Sequence, residues 1–131
     1  MQGLWYVSKW YKADDRSNKN DFERRMETLL SSMEDVKRGW QVNTPPTTYP
    51  EGIAHLAAFA EYKKTTKRAW VRERQELAAL YSNIQTKLRT YALRAWEPRN
   101  GLRLEDLERQ WKTLLVDEGT RSRAINARIR E

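Results

Sequence analysis

Apolar residues recur at alternating intervals of four and three in three separate segments of the chain. The first segment, which ends shortly before Pro45 and Pro46, has this spacing at Phe22, Met26, Leu29, Met33, Val36 and Trp40. The spacing places these side chains along one side of an α-helix, whereas a half-buried strand would alternate at every second residue. Asn18 or Asn20 is a suitable N-cap, and the two prolines prevent the helix from continuing. The pattern predicts helix A over about residues 20–40.

The second segment begins at the sequence TYPE, in which Thr48 and Glu51 have the spacing of a capping box. One pattern of three- and four-residue intervals then includes Ile53, Leu56, Ala60, Trp70, Leu77, Tyr81, Ile84, Leu88 and Tyr91. Phe59 and Tyr62 lie one residue out of phase, which indicates a shift of the buried side at that point. Because no Gly or Pro interrupts the pattern, the sequence predicts one continuous helix B over about residues 49–95.

The third segment follows the loop sequence EPRNG. Its pattern of three- and four-residue intervals consists of Leu104, Leu107, Trp111, Leu114, Glu118, Arg121, Ile125 and Arg128. Gly119 lies within the segment and costs about 1 kcal/mol relative to alanine in a helix interior. The pattern nevertheless keeps its phase on both sides of the glycine, so it predicts helix C over about residues 102–130.

Three amphipathic helices joined by short loops bury their apolar sides against one another. The expected fold is therefore all-α: an antiparallel, left-handed three-helix bundle with a short N-terminal helical extension. Trp70 lies among basic residues, and its ring suits either the core or a surface contact. The predicted core consists of Phe22, Met26, Leu29, Met33, Val36, Trp40, Leu77, Tyr81, Ile84, Leu88, Leu104, Leu107, Trp111, Leu114 and Ile125.

The residue types argue against a catalytic site. Among the 131 residues there is no cysteine, and His55 is the one histidine, which leaves no thiolate or paired-imidazole metal site. The motif HExxH and glycine-rich phosphate loops are also absent from the sequence. No stretch approaches the roughly eighteen apolar residues of a membrane span. We expect a protein that is not an enzyme, binds no cofactor and does not cross a membrane.

Much of the positive charge lies in one segment. The net charge is +7, and the sequence KKTTKRAWVRER at residues 63–74 contains six bases and one acid. Such a surface is either solvated or contacts an acidic protein, a nucleic acid or an anionic lipid. The candidate partner contacts are Lys63, Lys64, Lys67, Arg68 and Trp70. No RRM, KH or helix-turn-helix signature accompanies them, so nucleic acid is not an expected partner, and a module binding nucleic acid or anionic lipid is the alternative function.

Helix C contains WKTLLVDEGTRSRAI, which resembles the signature of a spectrin repeat. More specifically, RERQELAALYSNIQTKLRTYALRAWEPRNGLRLEDLERQWKTL is similar to the first spectrin repeat of the α-actinins. The stretch Ile84-Gln85-Thr86-Lys87-Leu88-Arg89, the loop residues Pro98 and Gly101, and Trp111 are in register with that repeat. The opening YVSKWYKA resembles the segment that ends the second calponin-homology domain of the α-actinins. TRSRAIN and the short neck favour a fungal or protist member of the family.

The resemblance implies a domain division and a function. Residues 1–17 would be a remnant of the last calponin-homology helix plus the neck, and residues 18–131 a spectrin repeat. Trp5, Tyr6, Trp10 and Tyr11 would contact the calponin-homology domain, the rest of which is absent from this sequence. The implied role is a non-catalytic rod that holds actin-binding domains at a set distance and pairs with a partner rod in an antiparallel homodimer. F-actin would be bound by domains outside this chain, in the cytoplasmic actin cytoskeleton.

Overall fold

The fold is made of helices that follow one another with few loops. The computed structural model describes the backbone of residues 2–130 and the side chains of residues 15–130. Within these residues the elements are α1 (Gln2–Val42), α2 (Tyr49–Lys64), α3 (Thr66–Thr90) and α4 (Leu104–Arg130). Because Thr65 alone separates α2 from α3, these two helices form one rod beside α1 and α4. The predicted all-α bundle of three helical rods is confirmed.

Contacts between the rods establish an up-down-up arrangement. The Phe22 ring near the start of the bundle lies 5.9 Å from Tyr81 in α3, whereas Trp40 at the end of α1 lies 5.1 Å from Tyr62 in α2. The rod α2–α3 therefore runs antiparallel to α1. It also runs antiparallel to α4, because Glu118 of α4 bonds to α2 and α3 near their junction while Arg128 bonds to the carbonyl of Pro46 just before α2.

The side chains that the sequence predicts as core lie between the three rods. Val36, Trp40, Tyr81 and Leu104 are partly buried. Phe59, Trp70 and Leu102 add to the interior from outside the predicted set. The buried members of the predicted set are Phe22, Met26, Leu29, Met33, Leu77, Ile84, Leu88, Leu107, Trp111, Leu114 and Ile125.

Helix A is longer than predicted, and its predicted start is wrong. The helix α1 is continuous from Gln2, so Asn18 and Asn20 lie within it and cap nothing. The segment before Phe22 has no proline, and an ion pair of 2.6 Å between Lys19 and Asp15 supports the helix at a spacing of four residues. The predicted division between residues 17 and 18 is therefore not marked by a break in secondary structure. The side chains of Trp5, Tyr6, Trp10 and Tyr11 lie outside the described residues.

Helix B is not one continuous helix, and the interruption is at Thr65. The backbone there has φ −112° and ψ −69°, and the threonine hydroxyl donates a hydrogen bond of 2.7 Å to the carbonyl of Glu61. A threonine side chain that bonds to its own helix backbone competes with regular helical geometry. The amide of Ala69 still donates to the carbonyl of Thr65 at 3.1 Å, which keeps α2 and α3 in line. The break coincides with the change of phase that Phe59 and Tyr62 show in the sequence.

Helix B also ends earlier than predicted, at Thr90. The amide of Leu93 donates to the carbonyl of Leu88 at 2.8 Å across Ala92, whose φ is +55°. This is the hydrogen bond of a Schellman C-cap, in which one residue adopts the left-handed conformation. Leaving the helix here brings the ring of Trp96 back against Phe22, with 5.5 Å between ring centres. Burial of this aromatic ring offsets the loss of another helical turn.

Gly119 of α4 and Gly52 of α2 should respond differently to alanine. Gly119→Ala should raise the free energy of unfolding by about 0.5–1 kcal/mol, because its new Cβ would meet only the flexible end of Arg123 at 3.4 Å. At Gly52 the same change would meet the Cβ of Arg128 at 3.3 Å and Ile129 at 3.4 Å, so it should not give this gain. Urea unfolding of both variants measures the difference. A loss of stability in Gly119→Ala would contradict the prediction.

Candidate pairing surface

The basic residues around the α2–α3 junction line an open groove. Lys63, Lys64, Lys67, Arg68 and Arg72 supply its cations, and the groove has a volume of about 630 Å³. The other lining residues are Thr65, Ala69, Val71 and Gln75, so the lining contains no acid. The groove is therefore lined by five cations and by no acidic side chain.

Two of the predicted partner contacts point into the bundle. The Nζ of Lys67 lies 2.7 Å from the carboxylate of Glu118, and the hydroxyl of Tyr62 donates to that carboxylate at 2.8 Å. Trp70 is only 7% exposed, and its ring packs edge-on against Tyr62 at 5.7 Å. Of the two positions that the sequence allows for Trp70, the structure has the core, because α3 directs this ring into the bundle and away from the candidate partner contacts. Lys63, Lys64 and Arg68 are exposed.

The Tyr62–Glu118–Lys67 cluster is structural. Burial raises the pKa of the Tyr62 hydroxyl far above its ordinary value, and the hydrogen bond to Glu118 raises that pKa further. The tyrosine is therefore a neutral donor at physiological pH. Since Lys67 and Tyr62 both satisfy the Glu118 carboxylate, the cluster holds the two parts of the rod against α4. The sequence signal for this cluster was an acid, Glu118, at an apolar position of the helix C pattern.

Several cations elsewhere in the bundle have acidic partners. Arg25 of α1 bonds to Glu73 and Glu76 of α3, and these hydrogen bonds raise the pKa of the Arg25 guanidinium above its ordinary value. Arg74 forms an ion pair with Glu108 and lies over the ring of Trp111, with 4.5 Å between the guanidinium carbon and the ring centre. These contacts join α3 to both neighbouring rods. The positive charge of these arginines is therefore balanced by acidic residues of the bundle itself.

The exposed cations of the groove, unlike Arg25 and Arg74, lack an acidic partner among the described side chains. Lys64, Arg68 and Arg72 form no ion pair with any residue whose side chain the structure describes. Lys63 lies over the ring of Phe59 with its Nζ at 4.6 Å from the ring centre, which positions the amine without neutralising it. Their charge is therefore free to interact with a partner.

The start of α2 exposes apolar side chains that the sequence pattern assigns to the helix B seam. Ile53 and Leu56 are each 41% exposed, and Ala60 is exposed as well. Their inward placement is wrong, because Gly52 and Phe59 occupy the buried side of α2. The out-of-phase positions Phe59 and Tyr62 were the signal for this rotation of the helix.

The described residues offer little other chemistry. The Nδ1 of His55 lies 3.2 Å from a guanidinium nitrogen of Arg121. The imidazole therefore takes part in a contact between α2 and α4. Between residues 15 and 130, no three acidic, histidine or cysteine side chains come together in a way that suits a metal ion. The helices formed by the described residues include none that is both long and apolar enough to span a bilayer.

Comparison with known proteins gives two relatives. The chain is 42% identical over 113 residues to alpha-actinin-like protein 1 of Schizosaccharomyces pombe, an alignment that covers 86% of this chain and 18% of the relative. It is 25% identical over 112 residues to alpha-actinin A of Dictyostelium discoideum, covering 86% of this chain and 13% of that protein. The chain thus spans less than a fifth of the length of either relative. No protein-family model matches it.

Proposed function

The chain is related to the alpha-actinins over most of its length, and from this premise we infer that it is a rod segment of an actin-filament cross-linking protein. In this role it is a spacer that holds actin-binding domains at a set distance. The domains that contact F-actin lie outside these residues. The segment acts in the actin cytoskeleton and performs no catalysis.

The observation that supports this role best is the continuity of the helical rods. The 27 residues of α4 correspond to about 40 Å of helix at 1.5 Å per residue. The rod α2–α3 is longer, about 60 Å from Tyr49 to Thr90, with only Thr65 out of helical conformation. Ion pairs and hydrogen bonds such as Arg25–Glu73 and Lys37–Gln110 join the rods along their sides. Such a bundle transmits force and resists bending, as a spacer requires.

A spacer in a cross-linking protein also needs a partner. We therefore include in the proposal that the segment pairs with a partner rod in an antiparallel dimer. The unpaired cations of the groove and the exposed apolar residues of α2 support a protein partner, because both are otherwise unexplained on a surface rich in ion pairs.

A chimera tests the proposed function. The matching segment of the Schizosaccharomyces pombe relative is replaced with residues of this chain, and the protein is assayed for F-actin bundling by low-speed sedimentation. The chimera should bundle filaments to the same extent as the unaltered relative, because this chain supplies an equivalent rod. A version in which the segment is deleted is the control and should bundle poorly. A folded chimera that binds actin without bundling it would contradict the proposal.

A further inference from the structure

The helix α2 is apolar on two sides. Its inner side is buried through Gly52 and Phe59. On the other side, every exposed residue between Glu51 and Glu61 is apolar: Ile53, Ala54, Leu56, Ala57, Ala58 and Ala60. Tyr49, 57% exposed, precedes them on the same side. We call Tyr49, Ile53, Leu56, Ala57 and Ala60 the outer face of α2.

The outer face has the spacing of a helix-packing surface. Tyr49, Ile53, Leu56 and Ala60 recur at intervals of four, three and four, which places them on one side of the helix. A helix that is apolar all round is normally buried all round. The alanines also leave room for a second helix to approach closely. The bundle itself covers only the inner side, so the outer face lacks a packing partner among the described residues.

The cations of the groove continue this surface along the rod. Lys64, Arg68 and Arg72, which we call the basic ladder, recur at every fourth residue, about 6 Å apart along the axis. This spacing matches that of acids placed one turn apart on a facing helix. No lining residue of the groove is acidic, so the ladder lacks an internal counter-charge. The apolar and basic parts thus follow one another end to end on one rod.

We propose that the outer face of α2 and the basic ladder form one docking site for a helix of the partner rod. That helix is apolar where it covers Ile53 and Leu56, and acidic where it passes Arg68 and Arg72. The order of the two parts fixes both the register and the direction of the partner helix. This inference rests on the proposed function, since it takes the partner to be a rod.

The contacts beneath the surface support a rigid site. Glu118 joins Tyr62 of α2 to Lys67 of α3 directly under the junction, with bonds of 2.8 and 2.7 Å. The apolar part and the basic part are therefore held in fixed relation although Thr65 interrupts the helix. A nucleic acid would use the ladder and leave the outer face uncovered, so a protein helix accounts for more of the surface.

Charge and size variants of the chimeric rod test the docking site. Leu56→Glu should weaken dimerisation by at least about tenfold, because it places a charge in the apolar contact. The double variant Arg68→Glu and Arg72→Glu should weaken it similarly and reduce its dependence on salt. Val116→Glu and Lys112→Glu, at exposed positions of α4, are matched controls and should dimerise like the unaltered chimera. Sedimentation velocity measures the dissociation constants, and circular dichroism checks that helix content is unchanged.

The outcomes separate the docking site from the proposed function. If the chimera dimerises and both docking variants dimerise equally well, the docking site is wrong while the rod function stands. If only the ladder variant has an effect, and the chain binds double-stranded DNA or vesicles of phosphatidylcholine with phosphatidylserine, the ladder serves a polyanion and the inference is overturned. A chimera that remains monomeric and does not bundle actin overturns the proposed function as well.

Discussion

Replacing Trp111 with alanine should lower the free energy of unfolding by about 3–5 kcal/mol. The indole is only 7% exposed and lies in the main core, so its removal leaves a cavity that the surrounding helices fill only in part. The guanidinium of Arg74 also loses the ring over which it lies at 4.5 Å. Urea unfolding followed by circular dichroism at 222 nm measures the change.

Two variants make this result specific. Trp111→Phe keeps a ring beneath Arg74 and should lose less stability than the alanine variant. Removing residues 1–12 should change the free energy of unfolding by less than about 0.5 kcal/mol, because Phe22 is the first core residue among the side chains that the structure describes. A large loss on truncation would show that the aromatic residues Trp5, Tyr6, Trp10 and Tyr11 belong to the core of this bundle.

The second large effect is expected at Glu118. Glu118→Ala should destabilise the bundle by about 3 kcal/mol, since it removes the carboxylate that Lys67 and Tyr62 share and leaves both groups without that partner. The loss should appear in the same unfolding experiment, with α2 becoming more susceptible to proteolysis because the hydrogen bond between Tyr62 and α4 is gone.

An apolar replacement of the whole cluster is the control. The triple variant Tyr62→Phe, Lys67→Met and Glu118→Leu removes every polar member, so no buried donor is left unsatisfied. It should recover most of the stability that Glu118→Ala loses. If Glu118→Ala unfolds at the same urea concentration as the unaltered chain, the cluster contributes little to holding α2 and α3 on α4.

The spacing of apolar residues was sufficient to predict the fold and most of the interior. Positions such as Phe22, Leu77 and Leu114 follow a helical repeat and are fully buried. The repeat alone did not place the interruption at Thr65. A threonine hydroxyl bonded to its own helix backbone does not identify a break either, because Thr28 and Thr113 form the same bond inside helices that continue. It did not give the end at Thr90 either, since that end is favoured by the packing of Trp96 against Phe22, which is distant in the sequence.

The surface was harder to predict than the core. A basic segment in a sequence does not reveal which cations meet an acid on another rod: Lys67 and Arg74 do, whereas Lys64 and Arg68 do not. For Trp70, the flanking charges left burial and exposure open, and the direction of α3 decides its burial. In α2 the spacing of Ile53 and Leu56 places them on one side of a helix. The spacing does not say whether that side packs against the same bundle or against another molecule.

The uninterrupted α1 has a mechanical consequence. One hydrogen-bonded helix extends from Gln2 into the bundle and forms a rigid connection. A domain joined to its N-terminal end would therefore rotate together with the bundle and would not rotate independently of it. Each residue inserted before Phe22 would rotate that domain by about 100° and move it by about 1.5 Å. Seven residues would restore its direction to within about 20°. The length of this segment therefore sets an angle as well as a distance, and changes in its length are restricted to near-whole turns.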